Sequence, residues 1–138
     1  MTITRGSALT REDKRMFESG EMYLETLLIL SGRKEGVHAV DAAEELGFSR
    51  ASVSRALARL KNEKYITVDE EDHIRFTREG RALAERIYER HRVLTEGFML
   101  LGVDEKTASE DACKIEHDLS DASFEAVKKH IEQAKNRK

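Results

Sequence analysis

Residues 39–64 constrain the fold most, because they contain two helical patterns that are separated by a single tight turn. The segment 40–46 is short and amphipathic, Gly47 permits the turn, and Ser49 can cap the helix that follows. In that second helix, over 50–62, apolar side chains recur four and three residues apart, so one face should be buried. The pattern predicts a helix-turn-helix.

Two short runs after this pair, 65–68 and 73–76, alternate apolar with polar side chains and predict a β-hairpin. A helix-turn-helix followed directly by a hairpin has the element order of a winged helix-turn-helix, in which the hairpin is the wing. The tip of this wing, residues 69–72, is entirely acidic. Because phosphates would repel it, we expect the tip to stand away from DNA.

The second helix is strongly basic. Between Ser49 and Tyr65 the chain has five basic residues and one acidic residue, within a protein whose net charge is −3. Lysines and arginines displace condensed cations from DNA, and although an isolated basic helix can simply be a solvated face, the hairpin favours DNA. We predict a DNA-reading surface that consists of Ser49, Arg50, Ala51, Ser52, Ser54, Arg55 and Arg59. Serines can donate to phosphate or base edges, Ala51 can contact a thymine methyl, and Arg55 can bind guanine bidentately.

The rest of the chain is predicted to be helical. A first helix should span about 10–30, with Gly20 a possible interruption, and a long helix capped by Thr77 should end near Gly102. Two further helices are expected from about Glu105 and from about 121–133. The fold class is therefore mainly α: a winged helix-turn-helix domain followed by a helical domain.

Three regions are predicted: a disordered N-terminus over 1–9, the winged helix-turn-helix over 10–78, and a linker helix with a helical domain over 79–138. No window is apolar enough to span a bilayer and no targeting segment is evident, so we expect a cytoplasmic protein without a membrane partner. The single cysteine, which cannot form an internal disulfide, agrees with a reducing compartment.

That cysteine lies in a group of metal-binding residue types. If residues 111–118 are helical, the three- and four-residue spacing places Cys113, Glu116 and His117 on one face. A thiolate, a carboxylate and an imidazole at one spot predict a metal site, and unfilled coordination positions require a donor from elsewhere in the chain. Taken singly, Cys113 could be a buried apolar residue and Glu116 a solvated charge.

Four motifs in this order resemble the diphtheria toxin repressor family, which is similar to the manganese transport regulators. They are Glu-Met-Tyr-Leu-Glu at 21–25, Ser-x-x-Ser-Val-Ser at 49–54, Arg-His-Arg at 90–92 and Ala-Cys-x-x-Glu-His at 112–117. The resemblance covers roughly residues 19–134. It implies a metal-activated transcriptional repressor whose helical domain binds metal and forms a homodimer, with the metal held between the two parts.

The resemblance also implies ligands. The activating site of the iron-responsive branch, an iron-type primary site, is matched by Met22, Cys113, Glu116 and His117. Glu25 and His91 match positions that the manganese-responsive branch uses for paired metals. The ancillary site of the iron branch would need Thr95 and Ser109, which are not credible ligands, and 138 residues leave no room for the SH3-like domain of longer members.

Two sulfur ligands disfavour Mn²⁺, a hard ion, and favour Fe²⁺, Co²⁺, Ni²⁺ or Zn²⁺. We expect Fe²⁺ to be the activating metal and a palindromic double-stranded DNA operator to be the target, in control of metal uptake or homeostasis. One alternative is a metal-independent winged-helix regulator that senses a small ligand or an oxidant through Cys113. An enzyme is disfavoured, because Glu116 is used as a ligand and no nucleophile or phosphate-binding motif is present.

Overall fold

The computed structural model describes residues 11–137, with side chains described from Gly20 onward. The disorder expected for 1–9 lies outside this range. The described residues form a mainly α fold, as predicted, with six helices and two strands. In chain order the elements are α1 (Arg11–Ser31), α2 (Ala39–Leu46), α3 (Arg50–Asn62), β1 (Ile66–Val68), β2 (Ile74–Phe76), α4 (Arg78–Leu100), α5 (Glu105–Ile115) and α6 (Asp121–Asn136).

The chain divides into two compact units inside α4: the first ends at Glu85 and the second begins at Arg86. The domain division predicted between residues 78 and 79 instead assigns all of α4 but its first residue to the second domain, and it stays a prediction. Gly20 does not interrupt α1, because a single glycine costs a helix only about 1 kcal/mol.

The core of the first unit comes from the apolar faces of its helices and the inner side of the wing. On α3, the predicted positions Val53, Leu57 and Leu60 are buried. The core consists of Tyr23, Leu24, Leu27, Leu30, Val37, Ala42, Ala43, Val53, Ala56, Leu57, Leu60, Ile66 and Ala84. Because the apolar face of α3 packs into this core, its opposite face lies on the surface.

The joint between α2 and α3 is set by its caps, as predicted. Gly47 has a φ of 70°, which favours glycine, and its amide donates to the Ala43 carbonyl at 2.9 Å. Two residues later, the Ser49 hydroxyl accepts a hydrogen bond of 3.1 Å from the Ser52 amide and caps α3. The helix-turn-helix therefore has a chemically defined turn.

The wing is a two-stranded antiparallel hairpin that pairs Ile66 with Phe76 and Val68 with Ile74. Asp69 organises its tip: the carboxylate accepts hydrogen bonds from the backbone amides of His73 (3.0 Å) and Glu71 (2.9 Å). The amide of His73 in particular lowers the pKa of Asp69. One of the four acidic tip residues therefore has a structural use that charge counting did not reveal.

A second contact ties the wing to the segment before α2. The Ile74 amide donates to the Val37 carbonyl at 2.8 Å, and the residues beside these two, His73 and His38, bring their rings together. The rings of His38 and His73 lie edge to face with centroids 4.6 Å apart. The wing is thus held near its tip by the segment before α2, as well as by its own ladder.

The second unit contains the rest of α4, together with α5 and α6. Val93, Phe124 and Ile131 form a buried cluster, and Lys128 of α6 donates to Glu89 of α4 at 2.7 Å. Ala108 and Ala112 of α5 are completely buried. Among the residues described, no helix is long and apolar enough to cross a membrane.

Gly80 provides a test of this fold. It is buried in the first turn of α4, and a Cβ there would lie 1.8 Å from the Tyr65 carbonyl oxygen. We therefore expect Gly80→Ala to lower the free energy of unfolding by about 2 kcal/mol or more, because backbone must move to relieve the clash. Urea unfolding followed by circular dichroism measures the change.

Gly20→Ala is the matched control, since no described atom lies within 4 Å of a Cβ at that helical position. It should raise the free energy of unfolding by about 0.5–1 kcal/mol through helix propensity alone. Equal effects of the two substitutions would contradict the close approach of α4 to the wing.

Candidate functional site

The outer face of α3 is basic and accessible. Arg50, Ala51, Ser54 and Arg55 are exposed, whereas Ser52 and Arg59 are half-buried. The N-cap Ser49 also donates to the Ser52 hydroxyl at 3.0 Å, so these two serines are first of all part of the helix start. The predicted DNA-reading residues thus occupy one helix and its cap, opposite the buried stripe of α3.

Tyr23 supports this face from behind. It belongs to the Glu-Met-Tyr-Leu segment of α1, is almost fully buried, and meets the ring of Phe48 edge-on with centroids 6.1 Å apart. Burial raises the pKa of Tyr23, and the positive charge of Arg55 lowers it in part. The ring therefore packs α1 against the turn before α3. It also lies close enough to Arg55, a predicted DNA-binding residue, to feel its charge.

The predicted ligands near residue 116 lie at a helix end. The sequence analysis treated 111–118 as one helix, but α5 ends at Ile115 and Glu116 is its C-cap. The chain then tightens, because the Asp118 amide donates to the Ile115 carbonyl at 3.0 Å. Helical spacing alone therefore does not give the direction of the His117 side chain.

Glu116 is the centre of a small polar cluster in the second unit. Its side chain is buried, with Oε1 2.8 Å from Nδ1 of His91 and Oε2 3.4 Å from Nε2 of His117. No described residue gives Oε2 a hydrogen bond of acceptable geometry. Because a buried carboxylate is costly without compensating donors or cations, this arrangement suits a positive ion.

The other predicted ligands differ in their surroundings. Cys113 lies on α5 and is exposed, while Met22 is half-buried and Glu25 is buried on α1 of the first unit. Thioether, thiolate, carboxylate and imidazole together form a donor set that fits a divalent transition metal. Among the predicted ligands, the second unit brings His91, Glu116 and His117 together.

Arg90 holds the turn that carries Glu116, a role that the sequence analysis missed. Its buried guanidinium donates to the carbonyls of Glu116 (2.9 Å) and Leu119 (2.7 Å), and to the Asp121 carboxylate (2.6 Å). It also stacks over the Phe124 ring at 5.1 Å. The Arg-His-Arg motif was a signal, but only tertiary structure shows which arginine faces inward.

The fold and the polar cluster define a class of protein, namely winged-helix regulators with a separate metal-binding helical domain. Residues 15–74 match the family model described as the iron dependent repressor N-terminal DNA binding domain. Residues 77–137 match that of the iron dependent repressor metal binding and dimerisation domain. The chain therefore belongs to the iron-dependent repressor family of metal-dependent transcriptional regulators, which are not enzymes.

Individual relatives agree. The chain is 32% identical to an uncharacterised HTH-type transcriptional regulator of Methanocaldococcus jannaschii, over 88% of this chain and 99% of that protein. It is 31% identical to the HTH-type transcriptional regulator MntR of Geobacillus kaustophilus, over 74% of this chain and 72% of MntR.

Among solved structures, the manganese regulator SloR matches with a TM-score of 0.75 and 28% identity. That match covers 82% of this chain but only 53% of SloR, so the chain spans about half the length of that relative. The resemblance drawn from sequence motifs is confirmed, and the metal-independent alternative is not favoured.

Arg90 gives a testable consequence. Arg90→Met should lower the free energy of unfolding by about 3–6 kcal/mol, because two carbonyls lose charged donors that are worth about 1.5–3 kcal/mol each. Urea unfolding is the measurement. Arg92, which is exposed and stacks over Tyr88 at 5.9 Å, supplies the control: Arg92→Met should change stability by less than about 0.5 kcal/mol. Similar losses in both variants would refute the clamp.

Proposed function

We propose that this protein is a cytoplasmic repressor that is activated by a divalent transition metal, with Fe²⁺ first, and binds a palindromic operator as a homodimer. Its target would be genes of metal uptake or homeostasis. The observation that carries the proposal is the buried Glu116 carboxylate with ring nitrogens of His91 and His117 on its two oxygens. This cluster lies in the stretch that matches the family's metal-binding domain.

We assign the primary ligands to Met22, Cys113, Glu116 and His117, with Glu25 and His91 as further donors. The choice of Fe²⁺ rests on the two sulfur atoms, which favour Fe²⁺, Co²⁺, Ni²⁺ or Zn²⁺ over Mn²⁺. SloR is named a manganese regulator, but this name describes SloR and not the present chain. The thioether of Met22 and the thiol of Cys113 are the reason to propose a different metal here.

The DNA contact is assigned to α3. Arg50, Arg55 and Ser54 are exposed on its outer face, and Ser49 caps the start of the helix. A helix inserted into the major groove positions itself through phosphate contacts and reads base edges through a few side chains. In this proposal Arg50 and Arg59 position the helix, and Arg55 reads guanine.

Homodimer formation is assigned to the second unit. The end of α4 and the residue after it expose Met99, Leu100 and Leu101, the last at 82% of its surface, and Tyr88 is also exposed. Side chains of this kind are typical of protein interfaces. Two recognition helices in a symmetric dimer bind well only when their spacing matches half-sites about 34 Å apart or a multiple of that distance.

A bound divalent cation would supply the positive charge that Glu116 requires. Met22 and Glu25 belong to α1, whereas the remaining proposed donors follow residue 90. A differential affinity of a few kcal/mol is enough to move most of the population to the DNA-binding arrangement. The metal is thus a co-repressor.

Metal-dependent DNA binding tests the proposal. An operator selected from randomised duplexes in the presence of Co²⁺ would be titrated anaerobically, metal by metal, with fluorescence anisotropy as the readout. We expect Fe²⁺ or Co²⁺ to raise affinity about 5- to 150-fold over chelator-treated protein, the usual range of allosteric coupling. Binding that chelator leaves unchanged would refute a co-repressor role.

Arg55→Ala distinguishes DNA binding from metal binding in that experiment. Because Arg55 is exposed and is not among the proposed metal ligands, the variant should bind metal normally but lose affinity for the operator. A base-specific bidentate contact is worth about 1–3 kcal/mol, so the loss should be about 5- to 150-fold. Unchanged operator affinity would remove Arg55 from the DNA-reading surface.

The metal preference has its own test. Cys113→Asp replaces a soft donor by a hard one and should shift the ranking of activating metals toward Mn²⁺. Isothermal titration of Mn²⁺ and Co²⁺ under anaerobic conditions gives the ranking. Cys113→Ser is the control, since it removes the sulfur without adding a carboxylate and should weaken Co²⁺ binding with no gain for Mn²⁺. An unaltered ranking in Cys113→Asp would refute the argument from donor softness.

A further inference from the structure

The two ring nitrogens of His91 have different partners. Nδ1 lies 2.8 Å from Oε1 of Glu116, and Nε2 lies 3.1 Å from the hydroxyl oxygen of Ser109. His91 is on α4, Ser109 is on α5, and Glu116 caps α5, so all three belong to the second unit. The half-buried imidazole is therefore oriented from both sides.

Ser109 is held on a well-defined helix. Asp104 caps α5 by accepting from the Thr107 amide at 3.1 Å, and Ala108, next to Ser109, is completely buried. The position of the Ser109 hydroxyl is consequently set by the packing of α5 rather than by a mobile loop. It is a fixed partner for a ring on a different helix.

The Ser109 hydroxyl can form a hydrogen bond with Nε2 of His91 whichever ring nitrogen carries the hydrogen. With the ring hydrogen on Nδ1, the imidazole donates to the Glu116 carboxylate and Nε2 accepts from the Ser109 hydroxyl. If Nδ1 becomes a metal ligand, the hydrogen moves to Nε2, and the Ser109 oxygen then accepts it. Rotation of one hydroxyl covers both states while the ring keeps its orientation.

We propose that Ser109 is a positioning residue that directs Nδ1 of His91, rather than Nε2, to the metal. This inference rests on the proposed function and deepens it, because it specifies which atom of His91 is the ligand. The sequence analysis dismissed Ser109 as a metal ligand. Its hydroxyl instead orients a histidine ligand, the outer-shell role that typically contributes about 10- to 100-fold to metal affinity.

The direct test is magnetic resonance of the full chain labelled with ¹⁵N-histidine and loaded with ¹¹³Cd²⁺. The chain has five histidines, and comparison with the His91→Gln variant identifies the signals of His91. We expect a cadmium–nitrogen coupling on Nδ1 of His91 and a protonated Nε2. A coupling on Nε2, or no coupling to either nitrogen in cadmium-loaded protein, would overturn the inference.

Substitution of Ser109 gives the second measurement. Ser109→Ala should weaken Cd²⁺ binding by about 10- to 100-fold, whereas Ser109→Thr, which keeps a hydroxyl, should restore most of it. Ser123→Ala is the matched control, because Ser123 is exposed on α6 and should leave Cd²⁺ affinity unchanged. If Ser109→Ala does not fold, the coupling in the unsubstituted protein decides by itself.

The failures of the two proposals can be told apart. If the unsubstituted protein binds metal and shows metal-dependent DNA binding, but Ser109→Ala keeps full Cd²⁺ affinity, this inference fails and the proposed function stands. If the unsubstituted protein binds no divalent metal at all, both fail.

Discussion

The helical domain depends on how a buried carboxylate is accommodated. Glu116 is almost inaccessible, its backbone carbonyl is held by Arg90, and its oxygens face the rings of His91 and His117. An unpaired carboxylate in this position would be strongly destabilising, so the second unit must supply positive charge or donors around it. That requirement explains why two adjacent residues of α4 contact Glu116. Arg90 donates to its backbone carbonyl, and His91 lies against its side-chain carboxylate.

The first unit, which contains the helix-turn-helix, is stabilised in a different way. Its core comes from small helices that have little stability by themselves, and their order is maintained by caps and by the wing. Gly47 and Ser49 define the joint before α3, while Asp69 and the His38–His73 contact hold the tip of the wing. The basic face of α3 is then left outside because its opposite face is the one that the core requires.

Much of this organisation was predictable from local pattern. Helical period, strand alternation and cap residues located α2, α3, the wing and α5 to within a residue or two, since these signals act over a few neighbouring residues. The end of α5 was less predictable. Whether the chain after Ile115 continues as helix or tightens depends on the Arg90 hydrogen bonds to Glu116 and Leu119, which join residues 26 and 29 positions apart.

The sequence by itself determined the class of fold, the basic character of α3 and the chemical types of the proposed donors, because these follow from residue identity and short spacing. The tertiary structure alone decided that Glu116 is buried, that Arg90 points inward, and that Ser109 meets one particular nitrogen of His91. Those facts depend on contacts between separate helices. No local spacing can specify them, since the distance between two helices is set by the packing of the whole unit.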